Sequence, residues 1–261
     1  MDDDVRFVDL SDAAFMHQAE QCRALIAEGA DVNARGTDGK TPLRMCWERW
    51  GAEGAIVDTI TVLLEAGADP DIRDAMSFRP LDIVCMRGTD VRECELLLQA
   101  GSDVNGRDDE GRTALHQCVR VDVCRELIQW NADVNAVADD GNTPLHDAAE
   151  GNNGGVCQTL VDAGAQLDVE NEQGHTALDL AANAAVAGVL IEAGADAYRG
   201  DMKWRVLADR VRRRRVPLVE LFTRRTMPLP RGHGREATAR FETLGDDVVR
   251  TIGRMALGDR Y

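Results

Sequence analysis

The sequence predicts an all-α solenoid, built from units of two antiparallel helices, joined by short β-turn hairpins and followed by a small helical appendage. Three observations predict it. A turn-and-helix stretch, clearest as Asp140-Gly141-Asn142-Thr143-Pro144-Leu145-His146-Asp147-Ala148-Ala149, returns along the chain. It reads Gly39-Lys40-Thr41-Pro42-Leu43, Gly111-Arg112-Thr113-Ala114-Leu115-His116 and Gly174-His175-Thr176-Ala177-Leu178, with a degraded copy at Ser77-Phe78-Arg79-Pro80-Leu81. A second phrase interleaves with the first, as in Gly29-Ala30-Asp31-Val32-Asn33 and Gly101-Ser102-Asp103-Val104-Asn105, and its successive copies step by 38, 34, 30, 33 and 30 residues. Self-similarity at such a period marks stacked repeats. The third observation is local chemistry: Thr143 can cap a helix with its hydroxyl, Pro144 sits at the first helical position where its missing N–H costs nothing, and Gly164 follows a second helix where a left-handed cap is cheap.

The turn-and-helix phrase resembles the signature of the ankyrin repeat family, and the resemblance covers about residues 11–200. It implies a stack of units, each a hairpin turn followed by two helices, that binds another protein on a concave surface. One unit cannot bury its apolar face alone, so stability is approximately a sum over units and interfaces. The resemblance implies no catalytic residue, no cofactor and no metal. It also places Asn33, Asn105 and Asn135 where intracellular members of the family can be hydroxylated by an asparaginyl oxygenase.

Composition bounds the rest. The chain of 261 residues carries a net charge of −16, and the charge is divided unevenly. Residues 1–198 hold 14 Lys and Arg against 38 Asp and Glu, a balance of −24, whereas residues 199–261 hold 16 against 8, a balance of +8. An acidic body disfavours nucleic acid and favours basic protein surfaces. The N-terminus shows no secretory apolar region and the chain has no apolar run long enough for a membrane span, so an intracellular protein, cytoplasmic or nuclear and monomeric, is expected. Seven cysteines without a Cys-x-x-Cys pair read as reduced, buried thiols, with metal or disulfide roles as the alternative.

Taken in order, residues 1–30 form N-terminal capping helices. Phe15, Ala19, Cys22, Leu25 and Ile26 fall on one side and Ser11 is the expected N-cap, in either a very short unit or a degenerate cap. Residues 31–200 hold about five units. The first, over 31–68, is overlong around residues 46–56, with its second helix over 57–65. The second lacks its turn glycine at Met76-Ser77-Phe78 and has Arg79 in place of the capping threonine, so its helix start should be the weakest; helices follow over about 80–87 and 91–99. The third is compressed, so its two helices need a tight link. The fourth opens at residues 151–155, and the fifth ends at Gly194. Residues 201–261 form a basic helical extension that would cover the last unit.

The recognition surface should come from turn tips and the outer side of each first helix. That selects Arg35, Asp38, Lys40, Arg44, Trp47 and Trp50 in the first unit, Arg73, Met76 and Phe78 in the second, and Arg107, Glu110, Arg112 and Gln117 in the third. Asp139, Asp140, Asn142, Asp147, Glu170, Glu172 and His175 follow. Trp47, Trp50 and Phe78 are the aromatic anchors, as aromatic side chains dominate protein hot spots, although Trp47 can instead cover a neighbouring unit. Trp130 reads as packing. His116 and His146 share a slot that the family uses structurally. The run Arg212, Arg213, Arg214 and Arg215 is a solvated helix end, a nucleic-acid, acidic-protein or localisation-receptor site, or a contact for anionic lipid. Beyond it, Pro217-Leu218-Val219-Glu220-Leu221-Phe222 resembles the opening of the SOCS box, by which some ankyrin proteins recruit ubiquitin ligases. Phe222 stands at that motif's cysteine, and Leu229-Pro230 follows at a shorter spacing than its proline element. The functional expectation is a non-enzymatic protein-binding module; the alternatives are a ligase adaptor and an inhibitor or accessory subunit of an enzyme.

Overall fold

The computed structural model describes residues 9–49, 53–198, 204, 205, 207–209 and 211. The chain divides at Arg214/Arg215, and all described residues belong to the first part.

Among the described residues, eleven helices follow in order: α1 Leu10–Phe15, α2 Ala19–Ala27, α3 Pro42–Met45, α4 Glu53–Glu65, α5 Pro80–Arg87, α6 Val91–Gln99, α7 Val121–Gln129, α8 Pro144–Glu150, α9 Gly154–Asp162, α10 Ala177–Leu180 and α11 Ala184–Ala193. They form two layers. First helices stack on first helices, as α1 on α3 and α8 on α10, while the second-helix layer runs α2, α4, α6, α7, α9, α11. One apolar cluster threads the stack from Leu10 to Ala208, with Leu43, Leu81, Leu115, Leu145 and Leu178 from the first half of successive units. Burying each such leucine contributes roughly 1.5–3 kcal/mol. All seven cysteines are buried and free. After the repeats, Trp204, Leu207, Ala208 and Val211 join the same cluster.

Units are stapled edge to edge by one recurring side chain. Asn33 accepts from the N–H of Asp69 (2.8 Å) and donates to the Gly67 carbonyl (3.3 Å). Asn105 repeats this on Asp133 and Asn131, and Asn135 on Gln166 and Gly164. Each turn is closed by an N–H to carbonyl bond across five residues, such as Asp108 to Arg112 (2.9 Å). The described residues hold turns but no strand, only an isolated antiparallel bridge between Arg107 and Thr113, so the expected hairpins are not seen.

Several local expectations are corrected. The first helix is capped by Asp9, whose carboxylate accepts the Asp12 N–H at 2.8 Å, and Ser11 lies inside it. The expected N-terminal helices number two and break at His17, which takes a left-handed φ of 56°. α4 begins four residues before the expected start, because part of the insertion is helical. The first helix of the third unit is missing: residues 114–117 make a single turn held by i→i+3 bonds, as the shortened unit leaves no length for more. Trp130, read as packing, is 40% exposed and donates to Glu126 at 2.9 Å.

Ser77 fills the position that Gly141 occupies two units on. Gly141 has a φ of +81°, and a Cβ there would meet the Glu172 backbone nitrogen at 2.6 Å. Ser77 takes a φ of +67° with a side chain, a conformation costing roughly 1–2 kcal/mol for an L-residue. Ser77→Gly should therefore raise stability by about 1 kcal/mol in urea unfolding. A lowered midpoint would show that the Ser77 hydroxyl bond to Asp109 outweighs the backbone relief.

Candidate protein-binding face

The third residue after each helix cap defines an inward slot, held in turn by Arg44, Asp82, His116, His146 and Asp179. His116 Nδ1 accepts the Thr113 N–H (3.1 Å) and lies 3.0 Å from the Thr113 hydroxyl. That fixes the proton on Nε2, which donates to the Asn142 carbonyl of the next unit at 3.2 Å. His146 repeats this on Thr143 and the His175 carbonyl. Asp179 accepts the Thr176 N–H at 2.9 Å, and Asp82 the Arg79 N–H at 2.9 Å. The second unit has thus exchanged a threonine–histidine pair for an arginine–aspartate pair.

The slot corrects one predicted contact. Arg44 is 5% exposed, because it points inward and across to the next turn: Nε donates to Asp74 at 3.0 Å and Nη1 to Glu48 at 2.7 Å. Trp47 is a second correction. It is 1% exposed, and its indole N–H donates to the Glu93 carboxylate of α6 at 2.6 Å. Asn142 is a third: it is buried, with its amide bonded to Asp140, Asp147 and Asn171. Trp50 and the run Arg212, Arg213, Arg214 and Arg215 lie outside the described residues, as does the SOCS-box-like stretch.

Arg35, Arg73 and Arg107 share one slot in successive turns, and each spans to the following turn. Arg35 donates to the Arg73 carbonyl (2.7 Å), Arg73 to the Arg107 carbonyl and to Asp109 (3.1 Å), and Arg107 to the Val137 carbonyl (2.8 Å). Their guanidiniums stay partly exposed while aligning the turns. Asp38, Glu110 and Asp139 are exposed; Lys40 and Asp140 are half-buried, Lys40 pairing with Asp38 at 2.9 Å. Met76 is 72% exposed.

Five residues chosen from the sequence meet in one groove. Phe78, Glu110, Arg112, Gln117 and Asp147 line a cavity of about 610 Å³ across the second, third and fourth units, beside the third unit's single turn. Met86, Asp108 and Glu150 line it as well and were not foreseen. Met86 and Glu150 both stand six residues after their helix-opening prolines, Pro80 and Pro144, a shared register that was the available signal. Asp108 is buried and committed to its own turn, accepting from the N–H groups of Glu110 (3.0 Å) and Arg112 (2.8 Å) and from Gln117 (2.9 Å).

Burial pushes the Asp147 carboxyl up to about 6, against the pull of Arg112 and with the anions Asp140 and Glu150 adding to the rise. Burial drives the His116 imidazole down to about 4, partly offset by its bond to the Asn142 carbonyl. The two oppose each other in acid. His116, depressed from an ordinary 6.5, contributes stability that is full above pH 6.5 and lost as pH falls toward 4, by up to about 3 kcal/mol. Asp147, raised from 3.8, recovers stability as pH falls through 6. Asp147→Asn should therefore lose thermal stability more steeply than wild type between pH 6.5 and 4; parallel curves would show that Asp147 is ionised as readily folded as unfolded.

Among the described residues, no group of three or more His, Cys, Asp or Glu is placed to hold a metal ion, and no helix is long and apolar enough to cross a membrane. Stacked helix pairs with bonded turns, carrying a groove on the first-helix side, define a repeat scaffold of the protein-interaction kind. A family model described as ankyrin repeats (3 copies) matches residues 51–138 and 121–201, and the chain belongs to the ankyrin repeat family. It resembles the crystal structure of an ankyrin repeat domain from Acinetobacter baumannii AYE, with a TM-score of 0.62 and 25% identity over 72% of this chain and 98% of that one. It also resembles the ankyrin repeat domain of Bcl-3, a member of the IkappaB protein family, with a TM-score of 0.60 and 25% identity over 69% of this chain and 80% of that one. Among curated proteins it is 36% identical over 99 residues to the E3 ubiquitin-protein ligase KEG of Arabidopsis thaliana, covering 37% of this chain. It is 34% identical over 101 residues to human SH3 and multiple ankyrin repeat domains protein 2, covering 39%. The matched stretches are 6% and 5% of those two proteins.

Proposed function

We propose that the chain is a non-enzymatic recognition module that holds a partner protein on the face built by its turns and first helices, centred on the groove at Phe78 and Asp147. The groove carries this reading: in it residues from three units converge around an apolar floor with polar walls, as in ligand sites. The bonded turns present that face preorganised, so little ordering entropy is lost on binding. Arg35, Met76 and Asp139 extend the same face to either side. The test is affinity capture with full-length wild type beside Phe78→Ala. Loss of a retained partner, with an unchanged unfolding midpoint, supports the groove. Retention of every partner by Phe78→Ala sinks it.

A second reading, a ubiquitin-ligase adaptor, draws on the SOCS-box-like residues 217–222 and on the similarity to a plant E3 ligase. Copurification of a ligase component that needs residues 199–261 supports it; its absence from full-length captures counts against it.

A further inference from the structure

We infer that the groove takes a cationic side chain, an arginine or lysine flanked by aliphatic residues, from a segment of the partner protein. The inference rests on the recognition reading above and names the chemistry of what is recognised.

Shape and charge together lead there. The floor is the half-buried Phe78 ring and Met86, which is 41% exposed. A long cationic side chain covers such a floor with its aliphatic stem and can set its head against an aromatic face. Around the floor stand Asp108, Glu110, Asp147 and Glu150 against the single cation Arg112, a balance of three negative charges. These carboxylates differ in what they can do. Asp108 spends both oxygens on its own turn and on Gln117, so it supplies field and no free ligand oxygen. Glu110 and Glu150 are exposed, and neither is held by a cation among the described residues. Asp147 is half-buried, and Asn142 is its amide donor at 3.2 Å. The groove therefore holds two solvent-facing anions and one partly desolvated anion above an apolar surface, with Arg112 as the one cation of its lining. An incoming guanidinium or ammonium would relieve that imbalance. The −24 balance of residues 1–198 would draw it in at long range.

The desolvation of Asp147 gives the interaction a pH signature. Its carboxyl lies at about 6, and the charged groups around it are Arg112, Asp140 and Glu150. His116, at about 4, stays neutral above pH 5. Between pH 7.5 and 5 Asp147 thus loses its charge while His116 gains none, and a bound cation would lose its partner.

The experiment uses the full-length chain and a fluorescein-labelled peptide of alternating arginine and leucine, beside a counterpart with glutamate for arginine, read by fluorescence anisotropy. The arginine peptide should bind and the glutamate peptide should not. Glu110→Gln combined with Glu150→Gln should weaken binding about tenfold. The same charge loss at the distant, exposed Glu28 and Glu65 should change it less than twofold on that scale. Binding should weaken from pH 7.5 to 5 in wild type, and Asp147→Asn should flatten that dependence. Equal loss from both double variants would overturn the inference, showing a response to net charge only. So would equal binding of the two peptides. Binding that emerges only when Arg212, Arg213, Arg214 and Arg215 are all replaced by alanine would overturn it in favour of the chain's own basic run. A natural partner that is lost with Phe78→Ala but kept by Glu110→Gln/Glu150→Gln would sink this inference alone and leave the recognition module standing.

Discussion

Arg79→Ala should lower the unfolding free energy by about 3–5 kcal/mol, the range for stripping one partner from a buried ion pair. Arg79 is 3% exposed and Asp82 fully buried. The guanidinium grips the carboxylate through Nη2 to Oδ1 at 2.8 Å and Nε to Oδ2 at 3.1 Å. It also reaches into the next unit, donating to the Asp103 carbonyl at 2.8 Å and the Gly106 carbonyl at 2.7 Å. Gly106 leaves room for this grip, since a Cβ there would overlap the Arg79 Nη1 position. Alanine therefore leaves a buried carboxylate without its counter-ion and the Gly106 carbonyl without its Arg79 donor, while the Asp103 carbonyl keeps only the Gly106 N–H at 3.1 Å. Lysine should rescue little, because it lacks the planar fork. Arg79→Thr combined with Asp82→His should recover much of the loss by restoring the pair found at Thr143 and His146. A denaturant midpoint for Arg79→Ala within experimental error of wild type would refute the account.

Trp47→Ala should cost about 3–5 kcal/mol, as large aromatic deletions from a core do. Among the described residues Trp47 is the largest fully buried side chain, and it ties the first unit to Glu93 in the second-helix layer. Burial pushes the Glu93 carboxyl up, and the indole donor holds it back. Trp47→Phe separates the two contributions: it keeps most of the volume and removes the donor, so it should cost less than alanine and raise the Glu93 carboxyl further. An alanine variant of unchanged stability that loses a protein partner would return Trp47 to the recognition surface.

These two residues show what could be read from the chain alone. The repeat and the order of its helix pairs were legible because their signals are local. A cap, a proline at the first helical position and a left-handed glycine act within a few residues, and the repeat multiplies each signal. The second unit's helices were placed from such marks despite its missing glycine and threonine. The same locality explains the misses. Arg79 was read as a lost cap, whereas Asp82, three residues on, accepts its N–H and pairs with its side chain. Arg44, Trp47 and Asn142 were read as outward because polarity and position in the turn were weighed without the slot shared with His116 and His146.

What the sequence by itself determined is the stacked helix-pair architecture, its acidic character and its membership of a binding family, since periodicity and capping chemistry need no knowledge of distant neighbours. What only the tertiary structure decided is which polar side chains bridge units and where the groove lies. The groove sits beside the third unit, whose first helix shrinks to a single turn, and it gathers Phe78 and Met86 from one neighbour and Asp147 and Glu150 from the other. Its depth and charge come from the packing of three units against one another, and no one unit's residues encode them.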